Sequence, residues 1–457
     1  MNARRWSALS FGAALAGLFA ASCAAEGDTP DADGPVASAS APLLGADNPA
    51  AIAGHYIVVF KPEAPAAARG QAAARVGARG TGRVERTYEV IPGFAAELAP
   101  ADLAELRRDP NVAFIEQDQV VTASTIFDSP ADGVDRVDQR NLPLDGKFND
   151  FGCTGAGVDV YIVDTGIRPT HNEFTGRIGN GFSAINDGRG SDDCNGHGTH
   201  VASTAAGTQF GLAKKATLHA SRVLGCNGSG TNSGVIAGVD FVRTDCTSKG
   251  RKCVANMSLG GGASTALDNA VTNAINAGIA FAVAAGNENQ NACNVSPARA
   301  PAAITVAATA DNDARASFSN FGSCVDLFAP GVSILGAAHT SNTATQSISG
   351  TSMASPHVAG AAAQFLSCNL SANPTQVRNA LLNNATLNCV TGVNGSPNIL
   401  LHNNFTAGTF TCGGGGGGTP DNSCVNRCDL QAPAGCFCDD QCAQFGDCCP
   451  DKVATCG

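Results

Sequence analysis

Three short segments of the chain carry residue types that together could perform acyl transfer. Asp164 lies in the sequence V-D-T-G, His197 in N-G-H-G-T-H-V and Ser352 in G-T-S-M-A-S-P. A serine hydroxyl becomes a nucleophile when a histidine takes its proton and an aspartate orients that histidine. The motifs therefore predict a serine hydrolase with Asp164 as the orienting acid, His197 as the base and Ser352 as the nucleophile.

A fourth segment supplies a group that could stabilise negative charge. Asn287 follows the small, apolar stretch A-V-A-A-G, and its amide could donate to the oxyanion of a tetrahedral intermediate. Alone, a Gly-Asn pair usually marks only a turn, but here it completes a set. We interpret His200 and His357, which lie close to the motifs, as structural residues.

Apolar runs that alternate with helical patterns must position these residues. This alternation between residues 125 and 406 predicts an α/β fold with a mostly parallel sheet and helices on both faces. Asp164 follows one such run, and sites assemble at the carboxyl ends of parallel strands. Ser352 precedes an apolar helix predicted over 354–365, with Pro356 in its first turn, and His197 precedes one over 200–206. The predicted strands are Val158–Val163, Leu218–Val223, Cys253–Met257, Ile279–Ala284 and Ala303–Ala307.

The first residues resemble an export signal. Arg4 and Arg5 precede an apolar run at 11–21, which predicts a signal peptide over 1–25. The sequence A-A-S-C before and at Cys23 leaves two cleavages open, one before a lipid-modified Cys23 and an ordinary one just after it. Either predicts a secreted protein, and lipid anchoring would affect only the precursor.

The net charge and the cysteine content indicate which partners are excluded and what role the cysteines have. The formal charge of -11 and the lack of a basic tract argue against nucleic acid as a partner. Of 19 cysteines, 18 remain when Cys23 is set aside, and an even number in an exported chain favours disulfides over metal ligation.

Composition divides the rest of the chain into modules. Residues 26–54 are predicted as a flexible spacer, 55–122 as a small α+β unit, 125–406 as the catalytic domain and 407–423 as a glycine-rich linker. The α+β unit has predicted strands at 55–60, 90–98 and 112–121, with helices at 64–76 and 100–108. The last module, 424–457, holds eight cysteines.

The catalytic segments resemble the proteinase K and aqualysin branch of the subtilase family. The resemblance rests on C-N-G-H-G-T-H from Cys194, N-M-S-L-G-G-G from Asn256, S-F-S-N-F-G from Ser317 and I-S-G-T-S-M-A from Ile348, and the order Asp, His, Ser is that of the family. It implies a subtilisin-like fold and an endopeptidase that acts on proteins and peptides through an acyl-enzyme. Residues 55–122 resemble the family's inhibitory propeptide, which implies self-cleavage near Ser124–Thr125 and inhibition by the chain's own propeptide.

The resemblance also implies substrate-binding residues. The first set would pair with the substrate backbone, the two sets together would frame the primary pocket, and this lining of small residues suggests a broad apolar or aromatic preference. Asn232 stands where proteinase K has an aromatic residue, which departs from the family pattern for an outer pocket. The two sets are Ser258, Leu259 and Gly260, and Ala284, Ala285 and Gly286.

Structural calcium is a further implication, because carboxylates and carbonyls are the ligands this cation prefers. The first candidate site is Asp326 with the carbonyls of Pro301 and Ala303. The second has three carboxylates and an amide, which could equally be solvated surface groups. Its residues are Asp135, Asp138, Gln139 and Asp145.

For the catalytic domain, the resemblance implies the disulfides Cys194–Cys226 and Cys293–Cys324. Proximity suggests Cys246–Cys253 and Cys368–Cys389, which leaves Cys153 and Cys412 as a last pair.

The terminal module resembles a somatomedin B domain. That resemblance implies a docking module, but a passive stabilised tail fits the residues equally well, and no partner can be named. The implied pairs are Cys424–Cys438, Cys428–Cys456, Cys436–Cys449 and Cys442–Cys448.

Two other classes of protein are alternatives to the interpretation as a monomeric secreted protease. A non-catalytic binding protein would have no reason to keep Asp164, His197, Asn287 and Ser352 together. A lipase or esterase would carry Gly-x-Ser-x-Gly at its nucleophile and the order Ser, Asp, His, and neither is found at Ser352.

Overall fold

The computed structural model describes residues 40–48, 51–78, 82–122, 126–127 and 133–412. The predicted signal peptide, the Ser124–Thr125 bond, most of the linker and the cysteine-rich module 424–457 lie outside these residues. Within them, no helix has the length and hydropathy that a membrane span requires.

The N-terminal part of the described chain is a small α+β unit. Its strands follow the order β1-β5-β2-β4-β3, with β1 parallel to β5 and the other pairs antiparallel. Apolar side chains of the sheet, among them Val58, Phe94 and Ile115, form one buried cluster with Ala72 and Val76 of α1. The elements are β1 (Leu43–Leu44), β2 (Ala51–Phe60), α1 (Ala66–Ala78), β3 (Arg83–Tyr88), β4 (Gly93–Glu97), α2 (Pro100–Leu106) and β5 (Val112–Thr122).

This unit begins earlier than the composition predicts. Strand β2 starts at Ala51 instead of His55, and residues 40–48, placed in the flexible spacer, include a strand that pairs with β5. Small residues such as Ala51 carry no strong strand signal, so their conformation depends on the neighbouring strand. Strand β3, which the sequence did not predict, pairs with β4.

The larger part is built on one ten-stranded sheet with the order β8-β9-β7-β11-β13-β15-β16-β20-β19-β21, in which only β19 and β20 pair antiparallel. Two further sheets are antiparallel, β12-β14 and β17-β18-β6. The elements are β6 (Ile126–Phe127), α3 (Gly133–Val137), β7 (Val158–Asp164), β8 (Phe182–Ser183), α4 (His197–Ala206), β9 (Thr217–Arg222), β10 (Ser229–Thr231), α5 (Asn232–Lys249), β11 (Lys252–Met257), β12 (Gly261–Gly262), α6 (Thr265–Asn276), β13 (Ala280–Ala284), β14 (Val295–Ser296), β15 (Ile304–Thr309), β16 (Leu327–Pro330), β17 (Ile334–Ala337), β18 (Thr345–Ser349), α7 (Thr351–Cys368), α8 (Pro374–Asn383), β19 (Thr386–Leu387), β20 (Ile399–Leu400) and β21 (Phe410–Thr411).

Both faces of the large sheet are buried. Along β7, Val160 and Ile162 join the apolar cluster that includes α4 and α7, whereas Tyr161 and Val163 join the cluster that includes α5 and α6. Such a strand is mostly apolar along its length because neither face meets water. The predicted mostly parallel sheet with helices on both faces is therefore confirmed.

Helix α7 begins before its predicted start. It runs from Thr351, so Ser352 lies in its first turn and Pro356 is its sixth residue instead of a first-turn residue. Nearly every side chain of α7 is buried, which compensates for the backbone hydrogen bond that a proline cannot make.

The structure contains five disulfides among the described residues, and it corrects two expected pairings, Cys368–Cys389 and Cys153–Cys412. Cys368, at the end of α7, is bonded to Cys153, so the expected Cys368–Cys389 bridge is wrong. Cys389 and Cys412 follow β19 and β21, which are neighbours in the sheet, and they bond to each other. The remaining bridges are Cys194–Cys226, Cys246–Cys253 and Cys293–Cys324.

Candidate active site

Asp164 and His197 meet at the carboxyl edge of the large sheet. Asp164 is the last residue of β7, and His197 is the first residue of α4. Their side chains are buried, and His197 Nδ1 lies 2.7 Å from Asp164 Oδ1. Gly196 precedes α4 with a φ of 109°, a left-handed conformation that glycine adopts without strain.

Asp193 fixes the segment that carries the histidine. Its Oδ1 accepts hydrogen bonds from Thr165 Oγ1 and the Gly196 N–H, both at 2.9 Å. Its Oδ2 accepts from the N–H and the hydroxyl of Thr199 at 2.9 and 2.5 Å. One buried carboxylate thus links the residue after Asp164 to both sides of His197.

The electrostatic surroundings favour a protonated His197. Burial of the ring lowers its pKa, but the charge and hydrogen bond of Asp164, together with the charge of Asp193, outweigh this effect. The pKa of His197 therefore lies above the ordinary histidine value. This is the direction expected of a base that must hold a proton during the reaction.

Ser352 is paired with Ser258 by two reciprocal hydrogen bonds. Ser352 Oγ donates to the carbonyl oxygen of Ser258 at 3.1 Å, and Ser258 Oγ donates to the carbonyl oxygen of Ser352 at 2.7 Å. The second bond is possible because Pro356 has no N–H to offer the Ser352 carbonyl within α7. Asn256 Nδ2 donates to Ser258 Oγ at 2.9 Å and so extends the network.

The serine hydroxyl is not hydrogen-bonded to the histidine in this structure. His197 Nε2 is buried and has no hydrogen-bond partner among the described residues. Bonds of this kind often form only when substrate is bound.

Helix α7 also orients Asn287. Asn287 Oδ1 accepts from the N–H and the hydroxyl of Thr351, at 2.8 and 2.9 Å. Because the amide oxygen faces Thr351, Nδ2 is directed away from it. Asn287 and Ser352 line the same cleft, as an oxyanion donor and a nucleophile must.

This cleft has a volume of about 250 Å³. Four predicted substrate-binding residues line it, whereas Ser258 and Ala285 are fully buried. Glu288, Gln290 and Asn294 add polar groups to a pocket that was predicted from its small apolar residues. The four lining residues are Leu259, Gly260, Ala284 and Gly286.

The tail of β5 adds a strand beside the cleft, next to β10. Residues Val120 to Thr122 pair antiparallel with β10, in a register that sets Val121 opposite Gly230. On the other side, a Cβ atom at Gly261 would lie 3.1 Å from the carbonyl oxygen of Val120. Peptide recognition by strand addition uses this arrangement.

Two carboxylates of β5 cap helices of the larger part. Glu116 Oε2 accepts from the Ala266 N–H at the start of α6 (2.9 Å), and Asp118 Oδ1 accepts from the Ser233 N–H at the start of α5 (3.0 Å). Burial raises the pKa of both carboxyls, and these hydrogen bonds offset the effect only in part. A hydrogen bond also runs from the inhibitor to the peptidase, since the Val90 N–H donates to Asp240 of α5 at 2.7 Å.

The two other histidines near the motifs are buried against backbone carbonyls. His200 Nε2 lies 2.9 Å from the carbonyl oxygen of Ile334, and His357 Nδ1 lies 2.8 Å from that of Met353. Burial lowers the pKa of His200 to about 3 and that of His357 to about 4. Both rings are therefore neutral at physiological pH, as structural residues would be.

The first predicted calcium site has a donor set that does not fit a cation. Asp326 Oδ1 is paired with the Arg378 guanidinium, and its Oδ2 accepts from the Thr305 N–H at 2.8 Å. A guanidinium cannot be a ligand, and its charge opposes a second cation on the same carboxylate. The carbonyls of Pro301 and Ala303 are therefore left without a free carboxylate to complete the site.

The second set of candidate ligands fits a hard cation better. Gln139 Nε2 bridges Asp135 and Asp145, and Asp138 accepts from the Asn149 N–H at 2.6 Å. Asp138 Oδ1 is buried without a hydrogen-bond partner. Burial, with the charges of Asp135 and Asp145, raises the pKa of Asp138 to about 6. A divalent cation would offset this excess of negative charge, and rotation of the Gln139 amide would supply one more oxygen.

One further group of possible ligands among the described residues consists of Asp187 with Cys194 and Cys226. The two cysteines form a disulfide, and Asp187 makes a bidentate ion pair with the fully buried Arg222 at 2.6 and 2.8 Å. These residues are therefore already engaged and do not form a metal centre.

Family comparisons agree with this geometry. Residues 155–409 match the model of the subtilase family, and the extracellular serine proteinase of Thermus sp. (strain Rt41A) is 53% identical over 386 residues, which are 80% of this chain and 93% of the relative. The chain belongs to the subtilase family. This subtilase is a serine endopeptidase, and the resemblance found in its motifs is confirmed.

Other similarities cover the remaining parts of the subtilase. Residues 55–124 match the peptidase inhibitor I9 family and residues 422–457 the somatomedin B domain. Alkaline serine exoprotease A of Vibrio alginolyticus is 44% identical over 396 residues, covering 83% of this chain and 73% of the relative. The crystal structure of a cold-adapted subtilisin-like serine proteinase superposes with a TM-score of 0.57 at 50% identity, covering 60% of this chain and 99% of that structure.

Several residues that shape the site escaped the sequence-based prediction. Asp193 stands four residues before His197, and its type and proximity are the only signal for its role. Thr351 and Asn256 are adjacent to or within motifs already recognised, but their hydrogen bonds depend on segments far apart in the chain. Glu288 follows Asn287, and only the shape of the cleft shows that it lines the pocket.

Proposed function

We propose that this subtilase is an exported zymogen that removes its own inhibitor segment and then cleaves proteins through an acyl-enzyme. The observation that carries the proposal is the tail of β5, which pairs with β10 and whose Val120 lies against Gly261 of the cleft that Ser352 and Asn287 line. The extracellular Thermus relative and the predicted signal peptide support export. Lipid attachment at Cys23 and ordinary signal cleavage both remain compatible with it.

The proposed reaction follows from the positions of four side chains. His197 Nε2 takes the proton of Ser352 Oγ as the oxygen attacks the peptide carbonyl, and Asp164 stabilises the imidazolium through Nδ1. Asn287 Nδ2 donates to the oxyanion, an interaction that contributes roughly 3–4 kcal/mol to transition-state stabilisation in enzymes of this kind. The imidazolium then protonates the leaving amine, and water releases the acyl group by the same steps.

The primary pocket supports an apolar or aromatic preference with a polar margin. Leu259, Ala284 and Gly286 offer a small, apolar lining for a large side chain. Glu288 is exposed, and its Oε2 accepts from Asn320 Nδ2 at 2.8 Å, so it contributes charge at the margin of the cleft. The preferred substrates are proteins with exposed, extended segments that can pair with β10.

A structural calcium ion completes the proposal. Asp135, Asp138, Gln139 and Asp145 would hold it, since their oxygens suit a hard cation and Asp138 carries an unpartnered buried oxygen. The ion would stabilise the segment between α3 and β7 and take no part in the chemical step.

The proposed modules have their predicted limits except that residues 40–48 and 51–54, which were assigned to the spacer, belong to the inhibitor. They comprise the signal peptide 1–25, the inhibitor to 122, the peptidase domain 125–406, the linker 407–423 and the disulfide-rich domain 424–457, which acts either as a docking module or as a passive tail. We propose a monomer.

Replacing Ser352 tests the central proposal. The Ser352→Ala precursor, produced in a protease-free host, should remain full-length, whereas the wild-type chain should be cleaved near Ser124–Thr125 and digest casein. A serine-reactive inhibitor should abolish the casein activity. Normal processing of the Ser352→Ala precursor would show that maturation is not intramolecular.

A further inference from the structure

Residues 40–48 precede the segment that matches the inhibitor family, yet they pack as part of the same unit. Strand β1 within them pairs in parallel with Ile115 and Glu116 of β5. Its first residue, Leu43, packs against the apolar cluster of the α+β unit. A stretch with the composition of a flexible spacer is therefore a structured part of the inhibitor.

The beginning of this segment is fixed by backbone hydrogen bonds. Ala41 is 6% exposed, and its N–H donates to the carbonyl oxygen of Arg107 at 2.6 Å. The carbonyl oxygen of Ala41 in turn accepts from Arg107 Nε at 3.0 Å, and that of Pro42 accepts from the Ile115 N–H at 2.9 Å. The segment is thus anchored both to the end of α2 and to β5.

The segment then passes from one edge of β5 to the other. The sheet order β1-β5-β2 places β1 and β2 on opposite edges of β5. Between them Gly45 has a φ of 73°, which suits glycine, and a Cβ atom there would lie 3.0 Å from Gln119 Nε2. The Ala51 N–H donates to the Asn48 carbonyl oxygen at 2.9 Å, where the chain enters β2. The start of the inhibitor therefore encloses β5 from both edges.

Asn48 connects this crossing to the peptidase. Its Nδ2 donates to Gln119 Oε1 at 2.7 Å, and Gln119 Nε2 donates to the carbonyl oxygen of Ala263 at 3.3 Å. Gln119 is fully buried, so removal of the Asn48 amide would weaken the hydrogen bonding of a buried polar side chain. A Cβ atom at Gly262 would overlap with Asn48 Nδ2, so the Asn48 side chain lies directly against the peptidase backbone.

These contacts lie at the part of β5 that binds the peptidase. Glu116 caps α6, and Val120 pairs with β10. Strand β1 pairs with Glu116 itself, and Asn48 bonds to Gln119, the residue before Val120. The segment therefore supports β5 at both ends of the stretch through which the inhibitor contacts the peptidase.

We propose that residues 40–48 are a clasp that holds β5 on the peptidase and sets how long the cleaved inhibitor stays bound. The surface that the clasp recognises is the backbone at Gly262 and Ala263, which it reaches through Asn48 and Gln119. After cleavage no peptide bond retains the inhibitor, so its lifetime on the enzyme depends on such contacts. This inference rests on the proposed function, because the clasp acts on the inhibitor that self-cleavage leaves behind.

Release of the inhibitor from the processed complex tests the inference. Leu43→Ser combined with Asn48→Ala should release it roughly tenfold faster than wild type, because a partly buried apolar contact and one hydrogen bond are lost. Release is followed as the peptidase activity that appears after dilution, divided by the activity at complete release. The exposed Asp47→Ala is the matched control and should behave as wild type.

Equal release rates for the double variant and the control would overturn the inference. The yield of processed complex is measured in the same preparations, which separates a role in inhibition from a role in folding. Asn48→Ala alone leaves β1 intact and should release the inhibitor about fivefold faster, so it decides the case in which the double variant yields too little complex. Failure of the wild-type chain to form any processed complex would instead contradict the proposed function.

Gly262→Ala tests whether the clasp contacts the peptidase directly. The added Cβ atom would overlap with Asn48 Nδ2, so this variant should accelerate release of the otherwise unchanged inhibitor. In the Asn48→Ala background the overlap is absent, and Gly262→Ala should accelerate release by a clearly smaller factor. Equal factors in the two backgrounds would contradict a contact between Asn48 and the peptidase.

Discussion

Hydrogen bonds between a few side chains set the chemistry at the scale of single residues. Asp164 is hydrogen-bonded to Nδ1 of His197. Ser258 is hydrogen-bonded to both the carbonyl oxygen and the hydroxyl of Ser352, and Thr351 to the amide oxygen of Asn287. The residue types were evident from the motifs. Which atoms bond to which could not be predicted, because each contact joins segments that are 33 to 94 residues apart.

The raised pKa of His197 can be tested by NMR. In the Ser352→Ala precursor, which keeps its inhibitor, the imidazole of His197 should titrate above the ordinary histidine value of about 6.5, because Asp164 stabilises its protonated form. Asp164→Asn should move the titration to lower pH. As the base must be neutral, peptidase activity should fall when the pH drops through the raised pKa. A midpoint that is identical with and without the Asp164 charge would contradict this cause.

Ser258→Ala tests how Ser352 is positioned. The substitution removes the donor to the Ser352 carbonyl and leaves a buried acceptor that Pro356 cannot satisfy. We expect kcat to fall about five- to tenfold, in line with a loss of about 1 kcal/mol, while KM changes little. Steady-state kinetics of the mature enzyme on one peptide would show this split. Ser248→Ala, at an exposed position of α5, is the control; an equal loss in both variants would contradict a positioning role.

At the scale of elements, the long buried strands and helices were predicted well. Val158–Asp164 and Lys252–Met257 are mainly apolar segments, and they form adjacent parallel strands. Short edge strands such as Ser229–Thr231 show no such pattern, because they form only through pairing with a neighbouring strand. The start of α7 was misplaced because the sequence G-T-S-M suggests a turn, whereas burial on all sides extends the helix to Thr351.

The capping carboxylates of β5 predict a pH-dependent inhibitor. The pKa values of Glu116 and Asp118 are raised by burial in the complex and return to ordinary values near 4 on release. Binding therefore takes up protons. The complex is tightest below the ordinary pKa and weakens as the pH rises through the raised values.

Dissociation of the processed complex should thus be faster at pH 8 than at pH 5. Samples are incubated at each pH, and the released activity is assayed at one fixed pH. Glu116→Gln together with Asp118→Asn should flatten the profile, and the exposed Glu63→Gln should leave it unchanged. A profile that persists in the double variant would assign the pH dependence to other groups.

At the scale of the whole molecule, cross-links and charge clusters join parts that are distant in sequence. The Cys153–Cys368 bridge spans 215 residues and ties the end of α7 to the segment before β7. The cluster around Asp138 lies in the neighbouring segment before β7, where three carboxylates share a small volume. Disulfides stabilise mainly by restricting the unfolded chain, whereas a bound cation stabilises only the folded one.

Calcium removal should lower the thermal stability of the mature enzyme. An ion at a hundred times its dissociation constant adds about 2.7 kcal/mol, which corresponds to a shift in Tm of about 5–10 °C for a domain of this size. Asp138→Asn should have a lower Tm that a chelator no longer changes, and Asp326→Asn should keep the chelator effect. Thermal melting of the wild type with and without chelator measures this shift in Tm. Identical melting curves would contradict the proposed calcium site.

The sequence by itself determined the family, the reaction class and the residue types of the site, because short motifs with fixed chemistry are local and ordered along the chain. It also indicated the sheet and its helices, since buried strands and helices have their own periodicity. Only the tertiary structure decided which cysteines pair, that Arg378 engages Asp326, that residues 40–48 join the inhibitor and that Asn232 is buried without a partner. These facts depend on contacts between remote segments, and no local pattern of residues encodes them.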